Sequence, residues 1–240
     1  MGSPCFRFKQ FTVWHDHCAM KVGTDGVLLG AWCPLPSLSR ARVLDIGTGS
    51  GLIALMIAQR MEQYEPSIVA IDIAPDAVAQ SQTNFELSPW KERLSSVQCA
   101  LQDMRTDELF DLIISNPPYF QSSLKNPDYT RALARHTDSL SYHELISHAA
   151  RLLATNGILA LVLPAEAEQE ILALTKENGL TATHITYVHS KPGKGIKRIL
   201  IALTPRGNKN TPVKQTDFYI ESENAPRSEE YQKLTEEFYL

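Results

Sequence analysis

A short apolar run, Arg42-Val43-Leu44-Asp45-Ile46, runs into Gly47-Thr48-Gly49-Ser50-Gly51 and then into the apolar stretch 52–61, LIALMIAQRM. No other feature constrains the fold as much as this order of strand, glycine loop and helix. Five mostly apolar residues that stop at glycine read as a buried strand. Glycines between a strand and a helix permit unusual backbone angles and let a ligand approach the main chain closely. An acid, Asp45, stands just before them.

The same alternation continues down the chain. Residues 67–71 read as a second apolar strand ending at Asp72, and residues 75–87 as a helix with proline near its first turn. Residues 95–99 and 110–115 are further short strands. Residues 140–154 have helical spacing, 157–163 are an almost wholly apolar strand, and 165–177 form a helix stopping near Asn178-Gly179. Strands alternating with helices imply βαβ units and a parallel sheet covered on both faces. The end differs: runs 183–189 and 197–204 are joined by residues 190–196 with no helix between, which predicts an antiparallel hairpin. The expected organisation is an extension of strand and helix over residues 1–40, packed on a catalytic domain over 41–240.

Composition narrows the class. The 240 residues suit one sizeable domain with an ordinary balance, 43% hydrophobic and 21% charged. No apolar run approaches the roughly 20 residues of a membrane span, and the start lacks a secretory layout, so a soluble protein is expected. Cys5, Cys18, Cys33 and Cys99 form no C-x-x-C pair. That spacing carries no metal signature and no disulfide framework, and it favours a reducing cytoplasm. The net charge is −4, but residues 178–214 carry seven Lys and Arg with no acid, whereas residues 215–240 carry seven acids. The basic stretch suits a phosphate-bearing partner and equally suits a solvated loop.

The second strand's end places Asp72 to accept hydrogen bonds from both hydroxyls of a ribose, a role for an ionised acceptor. After the strand 110–115 comes Asn116-Pro117-Pro118-Tyr119. Two prolines make a stiff turn that presents a side-chain amide and carbonyls which no proline N–H can satisfy. Such acceptors suit a planar NH₂ group. A conjugated amine is a poor nucleophile, and two acceptors taking its N–H bonds draw its lone pair out of conjugation. Asn116 Oδ1 and the Pro117 carbonyl are the candidate acceptors, and Tyr119 is a candidate platform on which a base stacks.

The order of elements resembles the α/β fold of the class I (Rossmann-like) S-adenosylmethionine-dependent methyltransferases: a mostly parallel seven-stranded sheet ending in an antiparallel hairpin, with helices on both faces. The loop is G-x-G-x-G and not the G-x-G-x-x-G of dinucleotide folds; it resembles the first methyltransferase motif. That resemblance implies a cofactor site from Asp45, Gly47, Gly49, Gly51 and Asp72, bordered by Asn116, with Asp45 toward the methionine amine. It also implies that Asp103 reads the adenine amine, although Asp103 reads equally well as a plain loop residue. The N-P-P-Y turn is shared by enzymes that methylate adenine and by those that methylate glutamine side chains.

The segment 21–32, KVGTDGVLLGAW, and the terminal 231–239, YQKLTEEFY, together with N-P-P-Y, resemble bacterial methyltransferases that modify N6 of adenine 37 in valine tRNA. In that family the first segment lies beside the cofactor's methionine end, so Lys21 and Thr24, with Asp25, become contacts; the competing reading is a capped helix start at Thr24-Asp25. The resemblance implies a tRNA partner whose anticodon-loop base is splayed out and stacked. Candidate phosphate contacts are Lys191, Lys194, Lys197 and Arg198, with Lys125, Arg131 and Arg135 after the turn. The rivals are a methyltransferase of protein glutamine or ribosomal RNA, and a non-catalytic RNA- or nucleotide-binding module.

Overall fold

The computed structural model describes residues 3–16, 18, 20–118, 140–207 and 212–240. Two short antiparallel strands come first, β1 (Cys5–Arg7) and β2 (Thr12–Trp14), then a helix, α1 (Thr24–Trp32). The alternating part follows: β3 (Arg42–Ile46), α2 (Leu52–Arg60), β4 (Ser67–Asp72), α3 (Pro75–Glu86), β5 (Leu94–Gln98) and β6 (Phe110–Ser115). Next come α4 (Tyr142–Leu152), β7 (Leu153–Pro164), α5 (Glu168–Glu177), β8 (Leu180–His189) and β9 (Ile196–Pro205). The chain closes with β10 (Lys214–Tyr219) and α6 (Glu229–Thr235).

The main sheet has the order β10-β8-β9-β7-β6-β3-β4-β5. Neighbours are parallel except for the two pairs made by β9, which runs opposite to β7 and β8. The expected hairpin is therefore present, with β9 inserted between β7 and β8. The count differs from the expected seven strands, because β10 adds an eighth along β8. Its sequence, KQTDFY, buries only Phe218. An edge strand with one buried side chain has no alternating apolar signature to read.

Strands alternate their side chains between two cores, as the pleat requires. Val43, Leu112, Ile114, Ala160 and Val162 face one core with α1, α2 and Phe85 of α3. Leu44, Ile113, Leu159, Leu161 and Leu163 face the other with Leu145, Ile146 and Ala149 of α4 and Ile171 of α5. Burial on both faces explains why these strands read as continuous apolar runs. β7 starts at Leu153, ahead of the expected 157, and its register on β6 jumps between Phe110 and Leu112. Gly157 lies at that irregularity, where a Cβ would stand 2.8 Å from the Phe110 carbonyl oxygen.

Both chain ends pack on the first core. Phe8 stacks on Phe11, with ring centroids 4.7 Å apart, and on Tyr239 at 5.9 Å. The Lys9 N–H donates to the Phe238 carbonyl at 2.8 Å, and Gln59 Nε2 donates to the Glu237 carbonyl at 2.9 Å. Tyr231 and Phe238 are fully covered. The acidic terminus is thus an apolar clasp with its charges outward.

Gly51 opens α2 at φ +79°, and a Cβ built there would lie 2.5 Å from Phe85 Cε1. Gly51→Ala combines left-handed strain with overpacking and is expected to cost about 2–4 kcal/mol. Urea unfolding checks this as a lower midpoint with an unchanged slope.

Candidate active site

Ligand clefts in open α/β sheets form at the carboxyl ends of strands, where the strand order reverses. Here the order reverses between β3 and β6, which pair in register through Ile46 and Ser115. The residues that follow, Gly47 and Asn116, therefore leave adjacent strands, whose spacing is about 4.8 Å. Ser115 Oγ, fully buried, donates to the Ile46 carbonyl at 2.8 Å and ties the two exits together. Pro117 is buried behind the turn, while Asn116 and Pro118 are half-buried. Tyr119, Lys125, Arg131 and Arg135 lie outside the described residues.

The glycine loop is held from below and open above. The Gly47 and Thr48 N–H groups donate to the Ile71 carbonyl at 2.9 and 3.1 Å. Gly47 and Gly49 have φ of +69° and +54°, and a Cβ on either would meet nothing within 4 Å. Their lack of side chains leaves free space over the backbone, whereas at Gly51 the absent side chain makes room for Phe85. Asp72 accepts from the Gly49 N–H through Oδ2 and from the Ala74 N–H through Oδ1, both at 3.0 Å. These bonds aim the carboxylate across the loop and leave lone pairs for further donors.

Asp45 lies beneath the loop, 1% exposed. Its Oδ2 accepts from Thr48 Oγ1 at 2.7 Å, while its Oδ1 is buried without a hydrogen-bond partner among the described residues. Burial pushes its pKa up to about 7; the Thr48 hydroxyl and the Ala54 amide oppose this, and the Asp72 charge adds to it. An orphaned carboxylate oxygen, open space over two glycines and a second acid at the next strand end fit a cationic amine and a ribose. These residues therefore fit S-adenosylmethionine.

The remaining cofactor candidates sit on the same edge. Asp103 is exposed, in a single 3-10 turn after β5 that is anchored by buried Leu101. The Cys99 N–H donates to the Asp72 carbonyl at 3.0 Å, bringing that turn beside β4. Lys21 is exposed and Thr24 half-buried. Thr24 begins α1 and Gly23 precedes it with no side-chain cap, so the capping reading of Thr24-Asp25 is not what the fold uses. Asp25 Oδ2 instead accepts from Arg198 Nε at 3.0 Å. Arg198 is paired with Pro164 at the carboxyl end of β7, so this ion pair draws the start of α1 to the catalytic edge.

Lys191 and Lys194 are exposed on the β8–β9 loop, and Lys197 is exposed as the second residue of β9. That loop also leaves the carboxyl edge, since β8 runs parallel to β7. Arg198, expected with them among phosphate contacts, directs Nε to Asp25 and Nη1 to the Lys197 carbonyl.

Three polar residues that shape the site were not anticipated. Thr48 and Ser115 act as described. Asn84 of α3 is buried, accepts from the Trp14 N–H, and donates to the Trp14 and Ser50 carbonyls. It joins β2 to the glycine loop. Thr48 sits three residues after Asp45, a spacing that hints at their bond; nothing local marks Asn84. Cys18, between β2 and α1, has its thiol raised to about 11 by burial and by the charges of Asp72, Asp16 and Asp76, so Cys18 lies near Asp72.

The Asp45 shift implies a pH-dependent stability. The folded chain keeps this proton until about pH 7, whereas the ordinary carboxyl releases it near 3.8. The resulting stabilisation is complete below the lower value and is lost as pH rises through the upper one. Asp45→Asn is accordingly expected to raise Tm by several degrees at pH 8.5 and by progressively less as pH falls through the window toward about 4, in thermal unfolding without cofactor.

Known proteins agree with this architecture. The family model described as methyltransferase small domain matches residues 27–183. A protein of Phocaeicola vulgatus named tRNA1(Val) (adenine(37)-N6)-methyltransferase is 47% identical over 243 residues, covering 100% of this chain and 99% of that one. Relatives with the same name from Bacteroides thetaiotaomicron and Aeromonas hydrophila are each 45% identical, covering 100% and 98% of this chain and 99% and 97% of theirs. Among solved structures, one described as a predicted O-methyltransferase from Agrobacterium tumefaciens superposes with a TM-score of 0.68 at 17% identity, covering 89% of this chain and 96% of that one. The glycopeptide N-methyltransferase MtfA complexed with sinefungin gives 0.52 at 12% identity, covering 70% and 81%. These two likenesses concern the fold alone. With a family match over most of the main sheet and end-to-end relatives, the chain belongs to the methyltransferase small-domain family, among the proteins named tRNA1(Val) (adenine(37)-N6)-methyltransferase.

Proposed function

We propose that this protein transfers a methyl group from S-adenosylmethionine to the exocyclic N6 of adenine 37 in the anticodon loop of tRNA, valine tRNA being the species in its relatives' names. The observation that carries this reading is the Asn116-Pro117-Pro118 turn, which leaves β6 directly beside the glycine loop that leaves β3. When bound, the cofactor supplies a methyl group made electrophilic by a positively charged sulfur.

In this reading Asp45 holds the amine of the cofactor, Gly47, Gly49 and Gly51 let it approach the backbone, and Asp72 accepts from the ribose hydroxyls. Asp103 serves the adenine end, and Lys21 and Thr24 the methionine end. Asn116 Oδ1 and the Pro117 carbonyl accept the two N–H bonds of N6, turning its lone pair toward the methyl carbon. Most of the remaining acceleration is aim, because two reactants held in line react as one molecule. No strong general base is required, since the alkylated amine loses its proton readily. Tyr119 stacks on the flipped base.

Lys191, Lys194 and Lys197, with Lys125, Arg131 and Arg135, meet tRNA phosphates. Arg198 is assigned instead to holding Asp25 and the start of α1 at this edge. Residues 41–240 form the catalytic domain and residues 1–40 an extension on it, supported by the aromatic packing of Phe8 and Phe11 against the first core. Among the described residues no helix is long and apolar enough to cross a membrane, and all four cysteines are free. Both facts support a cytoplasmic enzyme.

Radiolabelled cofactor offered separately with tRNA, ribosomal RNA and a release factor tests the reading. Label is expected in tRNA, recovered as N6-methyladenine; label only in the release factor or ribosomal RNA overturns it. Asn116→Ala is expected to lower methyl transfer on the order of 10²–10³-fold, with cofactor affinity by calorimetry within a few-fold of the native value. Cofactor affinity of the native protein is expected to weaken as pH falls below about 7, because binding needs the Asp45 anion. Asp45→Asn is expected to lose that dependence.

A further inference from the structure

The ring of His189, at the carboxyl end of β8, lies between two acceptors. Nδ1 is 2.8 Å from the Lys194 carbonyl oxygen and Nε2 is 2.9 Å from Asp217 Oδ1 of β10. Neither a carbonyl nor an ionised carboxylate donates a hydrogen bond, so both contacts require an N–H on the ring. A neutral imidazole carries one N–H, and only the imidazolium satisfies both at once. The ring also stacks on Tyr219 of β10, with centroids 4.8 Å apart and planes at 22°.

Lys194 belongs to the loop 190–195, which carries exposed Lys191 and Lys194 and runs directly into exposed Lys197 at the start of β9. The loop's own support is slight. The Lys194 N–H donates to the Lys191 carbonyl at 3.1 Å, and Gly193 turns the chain at φ +76°. The Glu221 N–H holds its first residue through the Ser190 carbonyl at 2.9 Å, and pairing on β9 begins at Ile196. Among the described residues, His189 is thus the side chain whose hydrogen bond fastens the loop at Lys194 to the sheet. Counted along the carboxyl edge, β8 stands three strand spacings from β6, about 14 Å from the Asn116 turn. A phosphate a few nucleotides from a base in the site comes within reach of this loop.

We infer that His189, as the imidazolium, is a positioning residue for tRNA binding: it bridges Asp217 to the Lys194 carbonyl and so presents Lys191, Lys194 and Lys197 to the phosphates flanking the target base. This rests on the proposed tRNA reading.

Burial lowers the affinity of His189 for its proton, but the Lys194 carbonyl, the hydrogen bond to Asp217 and the charge of Asp217 outweigh it, and the pKa lies above the ordinary 6.5. Among the described residues, Tyr219 of β10 stacks on the ring, and the other titratable or charged side chains on the adjoining chain are Glu221 after β10 and Tyr187 on β8. On the loop and β9 side they are Lys191, Lys194, Lys197 and Arg198. Because the folded pKa is raised, the clamp is complete below the ordinary histidine value and is lost as pH rises through the folded one. tRNA phosphates beside the loop favour the cation further.

Steady-state methylation of tRNA from pH 6.5 to 8.5, at saturating cofactor, tests the inference in the full-length protein. KM for tRNA is expected to be low at pH 6.5 and to rise toward pH 8.5, with kcat at saturating tRNA changing less than KM. His189→Gln is expected to raise KM at pH 6.5 about three- to tenfold, to leave kcat within about twofold, and to abolish the pH dependence of KM. Asp217→Asn removes the carboxylate charge and keeps an acceptor, so it is expected to shift the KM transition to lower pH. Nitrogen NMR of the RNA-free protein is expected to find both ring nitrogens of His189 protonated at pH 6.5. Native KM values in His189→Gln across the range, or a neutral ring at pH 6.5, overturn the clamp while leaving the methyltransferase reading intact. Failure of the native protein to methylate any tRNA overturns the reading beneath it and the clamp's role with it.

Discussion

The register between β3 and β6 is the constraint on which the rest of the molecule depends. Val43 pairs with Leu112, and Ile46 with Ser115, so two strands nearly seventy residues apart end level with each other. A slip of one residue would turn every side chain to the other face and separate the glycine loop from the Asn116 turn. Apolar side chains on both faces forbid that slip, since each residue belongs to one core or the other. Ser115 Oγ adds a bond to the Ile46 carbonyl that is correct in one register only. The geometry of the proposed chemistry is thus inherited from ordinary burial of Val, Leu and Ile.

Around that junction the fold keeps polar groups where apolar packing would be more stable. Asp45 is buried with one oxygen unpartnered and a proton affinity pushed up toward neutrality. Desolvating a carboxylate without full compensation is costly, and such groups cluster at functional sites because a ligand completes them. Asp72 shows the complementary device. It is satisfied by two backbone N–H groups that orient it, and it still has capacity to accept more. One acid is held in wait and the other is aimed.

The chain ends support the edge from its flanks. The β1–β2 strands and the terminal helix clasp each other through Phe8, Phe11 and Tyr239, and Asn84 links that assembly to the loop at Ser50. On the opposite flank the Asp25–Arg198 pair ties α1 to β9, and β10 supplies Asp217 to His189. The links through Asn84, Arg198 and Asp217 reach the carboxyl edge of the sheet, whereas Gln59, which holds Glu237, lies at the far end of α2.

Local patterns in the sequence determined the alternation of strands and helices, the hairpin at the end, and the residue types of the loop and the turn. Short-range physics sets all of these: apolar periodicity, glycine's freedom at φ +69° and +54°, and proline's missing donor. Tertiary structure alone decided which groups meet. Asn84 reaches Trp14 across 70 positions, Arg198 reaches Asp25 across 173, and His189 reaches Asp217 across 28. β10 carries one buried side chain, so it exists as a strand only because β8 offers an unpaired edge. No local pattern encodes such partners. A polar side chain acquires its role from the acceptor or charge that folding brings within about 3 Å, and that distance is a property of the packed sheet.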